Sequence, residues 1–389
     1  MQLQASLHCQ NWILDIQMAS HVTSRATPGS NHRAMLKLFF SLIQCGIGKR
    51  AELPRTPDAA EWQELFELSK KQTLAGIAFA GIERLPEQQR PPKEILLPWY
   101  RLCSIIRKKN AELNGKSAAV SRKFNSEGFP NCILKGQGLA QLYPDPTLRT
   151  PGDIDIWLGG RCNKILSYVR QHIKDCSPTY HHVDFPIAPH LDIEIHYRPT
   201  WMYNPFTNKR LQQYFKASAE KEFTNTASTP EGDIPVPTLA FNRVYTMLHI
   251  YRHLFFEGIG LRQVLDYYYI MQQGMSEKEK AEYTATIKGL GLNNFAGALM
   301  YVMQRIFALD DAHTPVKPNE RHGKFLLREI MLAGNFGKYD SRYMRQGNTF
   351  SKLFNNTRRL FTLILYYPRE ALWIPYFKLW HYFWRKRHK

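Results

Sequence analysis

Acidic residues are in short supply in this chain. Thirty-three Asp and Glu stand against 52 Lys and Arg, a net charge of +19 over 389 residues. A surface that basic attracts polyanions, whether nucleic acid, anionic lipid or a triphosphate, and it also serves plain solubility. Charge alone does not choose among these. No run of 18 apolar residues occurs, which argues against a simple transmembrane helix. The six cysteines, at positions 9, 45, 103, 132, 162 and 176, form no C-x-x-C pair and read as free thiols in a reducing cytoplasm. His249 and His253 are four apart, but HIYRH lacks the Glu of H-E-x-x-H, which excludes a metalloprotease. No internal repeat stands out. What is present is 44% hydrophobic content, ample for a folded core and two or more sub-domains.

The composition changes along the chain. Residues 1–34 lack periodicity and read as a disordered leader, or as sequence ahead of a true start at Met35, where the apolar run LKLFFSLIQCGIG begins. Residues 35–126 form an N-terminal helical region. Thr56-Pro57-Asp58 is a helix start, a second helix runs from Leu74 to Leu85, and Pro91-Pro92 opens a long one over roughly 92–126. Gly128-Phe129-Pro130 breaks it. An α/β core is expected over 127–215, a polar linker over 216–237, a C-terminal helical domain over 238–350 and a basic, aromatic tail over 351–389.

Chemistry concentrates in NCILKGQGLAQLYPDPTLRTPGDIDIWL, residues 131–158. An apolar strand, Cys132-Ile133-Leu134, runs into Lys135-Gly136 and a short helical segment, Gln137 to Leu142. A second strand carries Asp153 and Asp155. Residues two apart on a strand share a face, so these acids point together while Ile154, Ile156 and Leu158 turn to the core. Two carboxylates that close repel and call for a cation, and Mg²⁺ suits carboxylates combined with substrate phosphates. After a helix at about 161–174, with the His181-His182-Val183 region as a further strand, comes LDIEIH. Alternation there sets Asp192, Glu194 and His196 on one face and Leu191, Ile193 and Ile195 on the other. A Gly-bearing turn, a D-x-D strand and a third acid on a neighbouring strand make a two-metal phosphoryl-transfer site.

This order resembles the polymerase-beta-type nucleotidyltransferase superfamily. Within it, KG…YP.P..R..GDIDI…IEIH looks like the bacterial family labelled uncharacterised nucleotidyltransferase, closely over residues 130–200 and more weakly through 249–268. One departure matters. The superfamily's Gly-Ser pair is Gly136-Gln137 here, so the phosphate-touching hydroxyl is missing, and Lys135, Gly138 or Arg149 would substitute for it. The resemblance implies an α/β (α+β) core with a mixed sheet flanked by helical regions. It implies transfer of a nucleoside monophosphate from a nucleoside triphosphate, ATP among them, to an acceptor. Asp153 and Asp155 would ligate two Mg²⁺ ions (Mn²⁺ is also acceptable), with Glu194 completing the site as ligand or base. Lys135, Gly136, Gln137, Gly138, Arg149 and Arg262 would meet the nucleotide. Asp192, His196, His253 and Asp266 would stand behind them.

Each of these has a plainer reading. Arg149 is either a triphosphate clamp or loop structure. Arg262 and Asp266, four apart, are either part of a helix pair closing over the nucleotide or a surface salt bridge. His249 and His253 are packed polar residues facing the cleft rather than ligands. His196 orients a carboxylate or acts as a base. A catalytically silent nucleotide-binding module is the rival to an enzyme. A D-x-D glycosyltransferase ranks third, because Gly136 precedes Asp153 too closely for its longer nucleotide-binding region.

The tail interleaves Tyr366, Tyr367, Trp373, Tyr376, Phe377, Trp380, Tyr382, Phe383 and Trp384 with Arg369, Lys378, Arg385, Lys386 and Arg387. Three readings stay open: a helix packed on the core, an anionic membrane interface, or a stacking surface for RNA. The expected location is cytoplasmic, with peripheral attachment to the inner membrane face under the second reading. The sequence gives neither the acceptor nor the oligomeric state.

Overall fold

The computed structural model describes residues 30–174, 176–186, 192–340, 342 and 349–388. Most of the expected leader, and Leu191 of the third-acid strand, lie outside the described residues. In chain order the elements are α1 (Ser30–Gly46), α2 (Ala59–Lys71), α3 (Ala75–Arg84), α4 (Lys93–Ser126), β1 (Asn131–Leu134), α5 (Gly136–Ala140), β2 (Ile154–Leu158) and α6 (Cys162–His172). Then come β3 (His182–Asp184), β4 (Ile193–His196), α7 (Pro205–Thr224), β5 (Thr226–Ala227), β6 (Ile234–Pro235), α8 (Leu239–Phe256) and α9 (Leu261–Gln272). The rest is α10 (Glu277–Gly289), α11 (Asn293–Phe307), α12 (Glu320–Ala333), α13 (Thr349–Tyr366), α14 (Pro368–Ala371) and α15 (Ile374–Arg387).

Two compact units divide the chain. The first takes residues up to 104, 257–268 and 294–341 and is helical. Its α2 starts where the sequence predicts. The Asp58 side chain accepts from Glu61 N and Glu61 reaches back to Asp58 N, satisfying donors the helix end leaves open. Trp62 and Phe66 then pack against Trp99, with ring centroids 6.4 and 4.7 Å away. Trp99 also donates its ring N–H to Ala75 O at 2.8 Å. At the α1–α3 crossing a Cβ on Gly81 would fall 2.5 Å from Leu42 O, so only glycine lets these helices close.

The second unit takes residues 105–256, 269–293 and 342–389 and holds the sheet. Strand order is β1-β2-β4-β3, with β1 antiparallel to β2, β2 parallel to β4, and β3 antiparallel to β4. The fold is therefore α/β, a small mixed sheet among helices, as expected. Ile154, Ile156, Ile193 and Ile195 turn to one side, where Phe124 of α4 and Ile165, Leu166 and Val169 of α6 complete a core. On the other side Trp157 packs on Phe215 and Phe223 of α7 and stacks on Phe241 of α8. Both faces are covered, which is why all five residues of β2 are buried.

The stretch read as a linker, 216–237, is not one. It stays helical to Thr224 and then forms the β5–β6 hairpin. Its Ser and Thr suggest a loop, but Asn204 caps the helix and Leu211 and Phe215 bury its stripe. Buried Glu222 then accepts from Thr238 N at 2.6 Å and Thr238 Oγ1 at 3.1 Å, fastening the segment to the start of α8. The tail is helical too. Phe377 stacks on Trp201 at 4.0 Å, while the opposite side of α15 leaves Tyr376, Leu379 and Phe383 exposed. No helix among the described residues is long and apolar enough to cross a membrane.

Candidate active site

β1 leads into a tight turn. Lys135 sits at φ 53°, ψ −136°, left-handed territory that side chains seldom enter, and Gly136 follows at φ 41°. A Cβ on Gly136 would lie 3.7 Å from Asp153 O, so the turn passes close to the head of β2. Strain of this kind persists only where surroundings over-determine it. Here the Lys135 ammonium is held 2.9 Å from Asp155 Oδ2.

Asp155 is 2% exposed and stands in register with Leu134 on one side and Glu194 on the other. Its Oδ1 lies 2.8 Å from His196 Nε2. Burial pushes the carboxyl up, but Lys135 and His196 outweigh it and hold the group below the usual carboxylate range. Asp153 keeps part of its surface in solvent at the mouth of the strand. Its carboxyl is lifted, first by repulsion from Asp155 and then by the protein around it. The cation the D-x-D pair calls for is thus partly supplied by Lys135 and His196, and Asp153 is the acid left to gain most from another.

Glu194 lies 2.9 Å from His182 Nδ1 and 3.3 Å from His196 Nε2. These imidazoles overcome the effect of burial and hold its carboxyl far below the usual range. A carboxylate so stabilised is a weak proton acceptor, which favours an anionic ligand over a base. Asp192 is exposed ahead of β4, and its carbonyl accepts from Ile154 N at 2.9 Å. The acid in register with Asp155 is Glu194. His196 is fully enclosed, and Asp155 and Glu194 raise its pKa against the effect of burial.

The other expected nucleotide contacts are distributed differently. Gln137 is buried and its amide donates to Asn114 Oδ1 at 2.5 Å and Asn110 O at 3.2 Å. Asn110 in turn donates to the carbonyls of Thr147 and Arg149, at 2.7 and 2.9 Å. Gln137 therefore fastens the turn to α4 instead of presenting a group to phosphate. Gly138 is a packing glycine, since a Cβ there would meet Val236 Cγ1 at 2.8 Å. Arg149 is buried in its loop, its backbone anchored by Asn110. Arg262 and Asp266 are buried, not on a surface, and belong to the first unit. His253 is buried on α8 with its ring 4.3 Å from that of His249.

Three contributors escaped the sequence reading. His182 joins His196 on Glu194, and His181 lies against both rings. Tyr245, fully buried one turn before His249, has its phenol raised by burial and then by the charges of Asp155, Glu194 and Asp153. The four-residue rhythm Tyr245, His249, His253 was the available signal. Asp155, Glu194 and His196 each offer an atom within 4.8 Å of the others, and with Asp153 alongside this oxygen-rich set fits Mg²⁺ or Mn²⁺.

A family model described as an uncharacterised nucleotidyltransferase matches residues 58–308, well over half of the chain. The chain belongs to that family. The match runs from the start of α2 to the end of α11 and so takes in the whole sheet of this nucleotidyltransferase. Among solved structures, an antigenic nucleotidyltransferase-like protein from Paracoccidioides brasiliensis is similar over 53% of this chain and 93% of its own, at 12% identity and a TM-score of 0.33. No curated protein matches.

Proposed function

We propose that this nucleotidyltransferase moves a nucleoside monophosphate from a nucleoside triphosphate to an acceptor. The acceptor oxygen bonds to the α-phosphorus as the bond to pyrophosphate breaks. The observation that carries this reading is the register of Asp155 with Glu194, with Asp153 two residues back and the strained Lys135-Gly136 turn beside them. Mg²⁺ ions held by Asp153, Asp155 and Glu194 would supply neutralisation of charge at the α-phosphate and on the departing pyrophosphate. Lys135 is positioned to exchange Asp155 for phosphate oxygens when nucleotide arrives. The backbone of the Gly136 turn can approach those oxygens closely. His196 fixes the Asp155 carboxylate, and Arg149 is the arginine on this unit proposed to reach the triphosphate.

The Lys135–Asp155 ion pair also favours a second reading, nucleotide binding without transfer, because Lys135 and His196 already engage both oxygens of Asp155. Incubating the protein and cell extract with each α-³²P-labelled triphosphate separates the two. Label moving into an extract component, and not with Asp153→Ala, supports transfer and names the acceptor class. Magnesium-dependent nucleotide binding by calorimetry with no label moved would leave the silent module. For the tail, the combination of exposed aromatics and bases supports contact with an anionic membrane surface.

A further inference from the structure

Beyond the carboxylates, the site contains a second donor set of different chemistry. Antiparallel pairing sets His182 directly opposite His196. His181, one residue earlier, has its carbonyl fixed by Tyr197 N at 3.0 Å and Arg198 N at 3.2 Å. The three rings crowd together, with centroids 4.2, 5.3 and 5.4 Å apart. One ring nitrogen from each lies within 4.8 Å of one from both others. Each ring also has an oxygen close to one nitrogen. Thr179 Oγ1 is 3.2 Å from His181 Nδ1, Glu194 Oε2 is 2.9 Å from His182 Nδ1, and Asp155 Oδ1 is 2.8 Å from His196 Nε2. The opposite nitrogens of the two buried rings, His181 Nε2 and His196 Nδ1, have no hydrogen-bond partner among the described residues.

We propose that His181, His182 and His196 bind one transition-metal ion of the Zn²⁺ class, at a site separate from the magnesium assigned to the carboxylates. Imidazole suits zinc, copper, iron and nickel, whereas Mg²⁺ takes oxygen. A histidine that ligates metal typically gives its other nitrogen to a carboxylate or similar oxygen, and the His181 and His196 rings are held in that way. Rings that only oriented Asp155 and Glu194 would not need two buried nitrogens without a partner among the described residues, because an unpaired buried polar atom is costly. Arg252 and Lys135 add positive charge near His181, and Asp155 and Glu194 supply negative charge beside His196.

The test is a cobalt titration of the full chain, stripped with chelator and kept in excess Mg²⁺ so that the carboxylates are occupied. One Co²⁺ per chain should bind with the intense visible absorption of low-coordinate imidazole ligation, and Zn²⁺, not added Mg²⁺, should displace it. His181→Ala should weaken binding at least about tenfold. If that variant fails to fold by circular dichroism, His182→Ala, at the partly exposed position, gives the same readout. Identical cobalt spectra in parent and variants, or loss of Co²⁺ to Mg²⁺, would overturn the site. The readout is the metal's own spectrum, so failure of nucleotide transfer leaves the result untouched.

Discussion

In the four-stranded sheet the chain buries charge. Asp155 and His196 are each 2% exposed, with Lys135 and Glu194 against them. On the outer side of α15 it does the reverse and leaves Tyr376, Leu379 and Phe383 in water. Ordinary folding puts apolar groups inside and charges outside, so both regions depart from it, in opposite directions. The sheet's departure is internally compensated, since every buried charge there has a counter-charge. The helix's departure has no compensation within the described residues. A compensated irregularity points to chemistry done inside, and an uncompensated one points to something met outside.

The sharpest way to break this contrast is to remove charge from the sheet. Asp153→Ala and Asp155→Ala should each abolish transfer of label from α-³²P nucleotide. Their stabilities should part company. Asp153 is repelled by Asp155, so its loss should leave the melting temperature unchanged or higher. Loss of Asp155 strands Lys135 and His196 in a buried place and should cost about 3–5 kcal/mol. Equal melting curves for the two variants would refute the pairing scheme. Glu194→Gln, which removes a metal-holding charge, should lower the rate at least ~10²-fold while Asp192→Asn has little effect. A dead Asp192→Asn beside an active Glu194→Gln would mean the register has been misassigned.

A smaller effect is expected at Gln137. Restoring the superfamily's serine, Gln137→Ser, removes the amide bonds to Asn110 and Asn114 and should destabilise by about 1–3 kcal/mol without raising the rate. A faster enzyme would mean that Gln137 faces phosphate after all. This position marks where the sequence stops being legible. Asp153, Asp155 and Glu194 could be placed because a strand has a period of two, and the apolar alternation fixes which side is buried. The bond from Gln137 to α4 spans 27 residues to Asn110, and no local pattern encodes it. The placing of His182 on Glu194, with His181 against its ring, depends on how a three-residue strand pairs, and the sequence specifies that edge weakly. The 216–237 segment reads as a linker because its composition is loop-like, while its anchors, Glu222 and Thr238, lie 16 residues apart.

Among its described residues the tail buries one acid, Glu370. Glu370 accepts from Tyr203 N and Asn204 N, yet burial still pushes its carboxyl from 4.5 up to about 7. The folded chain therefore holds a proton that the unfolded chain releases near pH 4.5. Stability should fall as pH rises between about 4.5 and 7, then level off. Glu370→Gln should flatten that slope in urea melts taken across the range. An unchanged slope would show that other groups produce it.

The last prediction concerns the outer side of α15. Tyr376, Leu379 and Phe383 recur at helical spacing and are exposed, with exposed Leu372 just ahead of the helix, Lys386 and Arg387 at its end and Lys378 and Arg385 flanking. The helix contains no acid. Aromatic rings beside bases match the depth and charge of an anionic headgroup layer. The hypothesis is that α15 lies on such a surface with its Phe377 side packed on Trp201. Each base near the surface is worth ~1 kcal/mol, so Lys386→Glu with Arg387→Glu should weaken co-sedimentation with phosphatidylserine vesicles at least tenfold and leave label transfer intact. Leu379→Glu with Phe383→Glu should do the same at high salt, where the charge contribution is screened and the apolar one remains. If the parent fails to sediment with anionic vesicles at low salt, the membrane reading is wrong. Retardation by single-stranded RNA, or a dimer lost in Leu379→Glu, would then say what covers the helix instead.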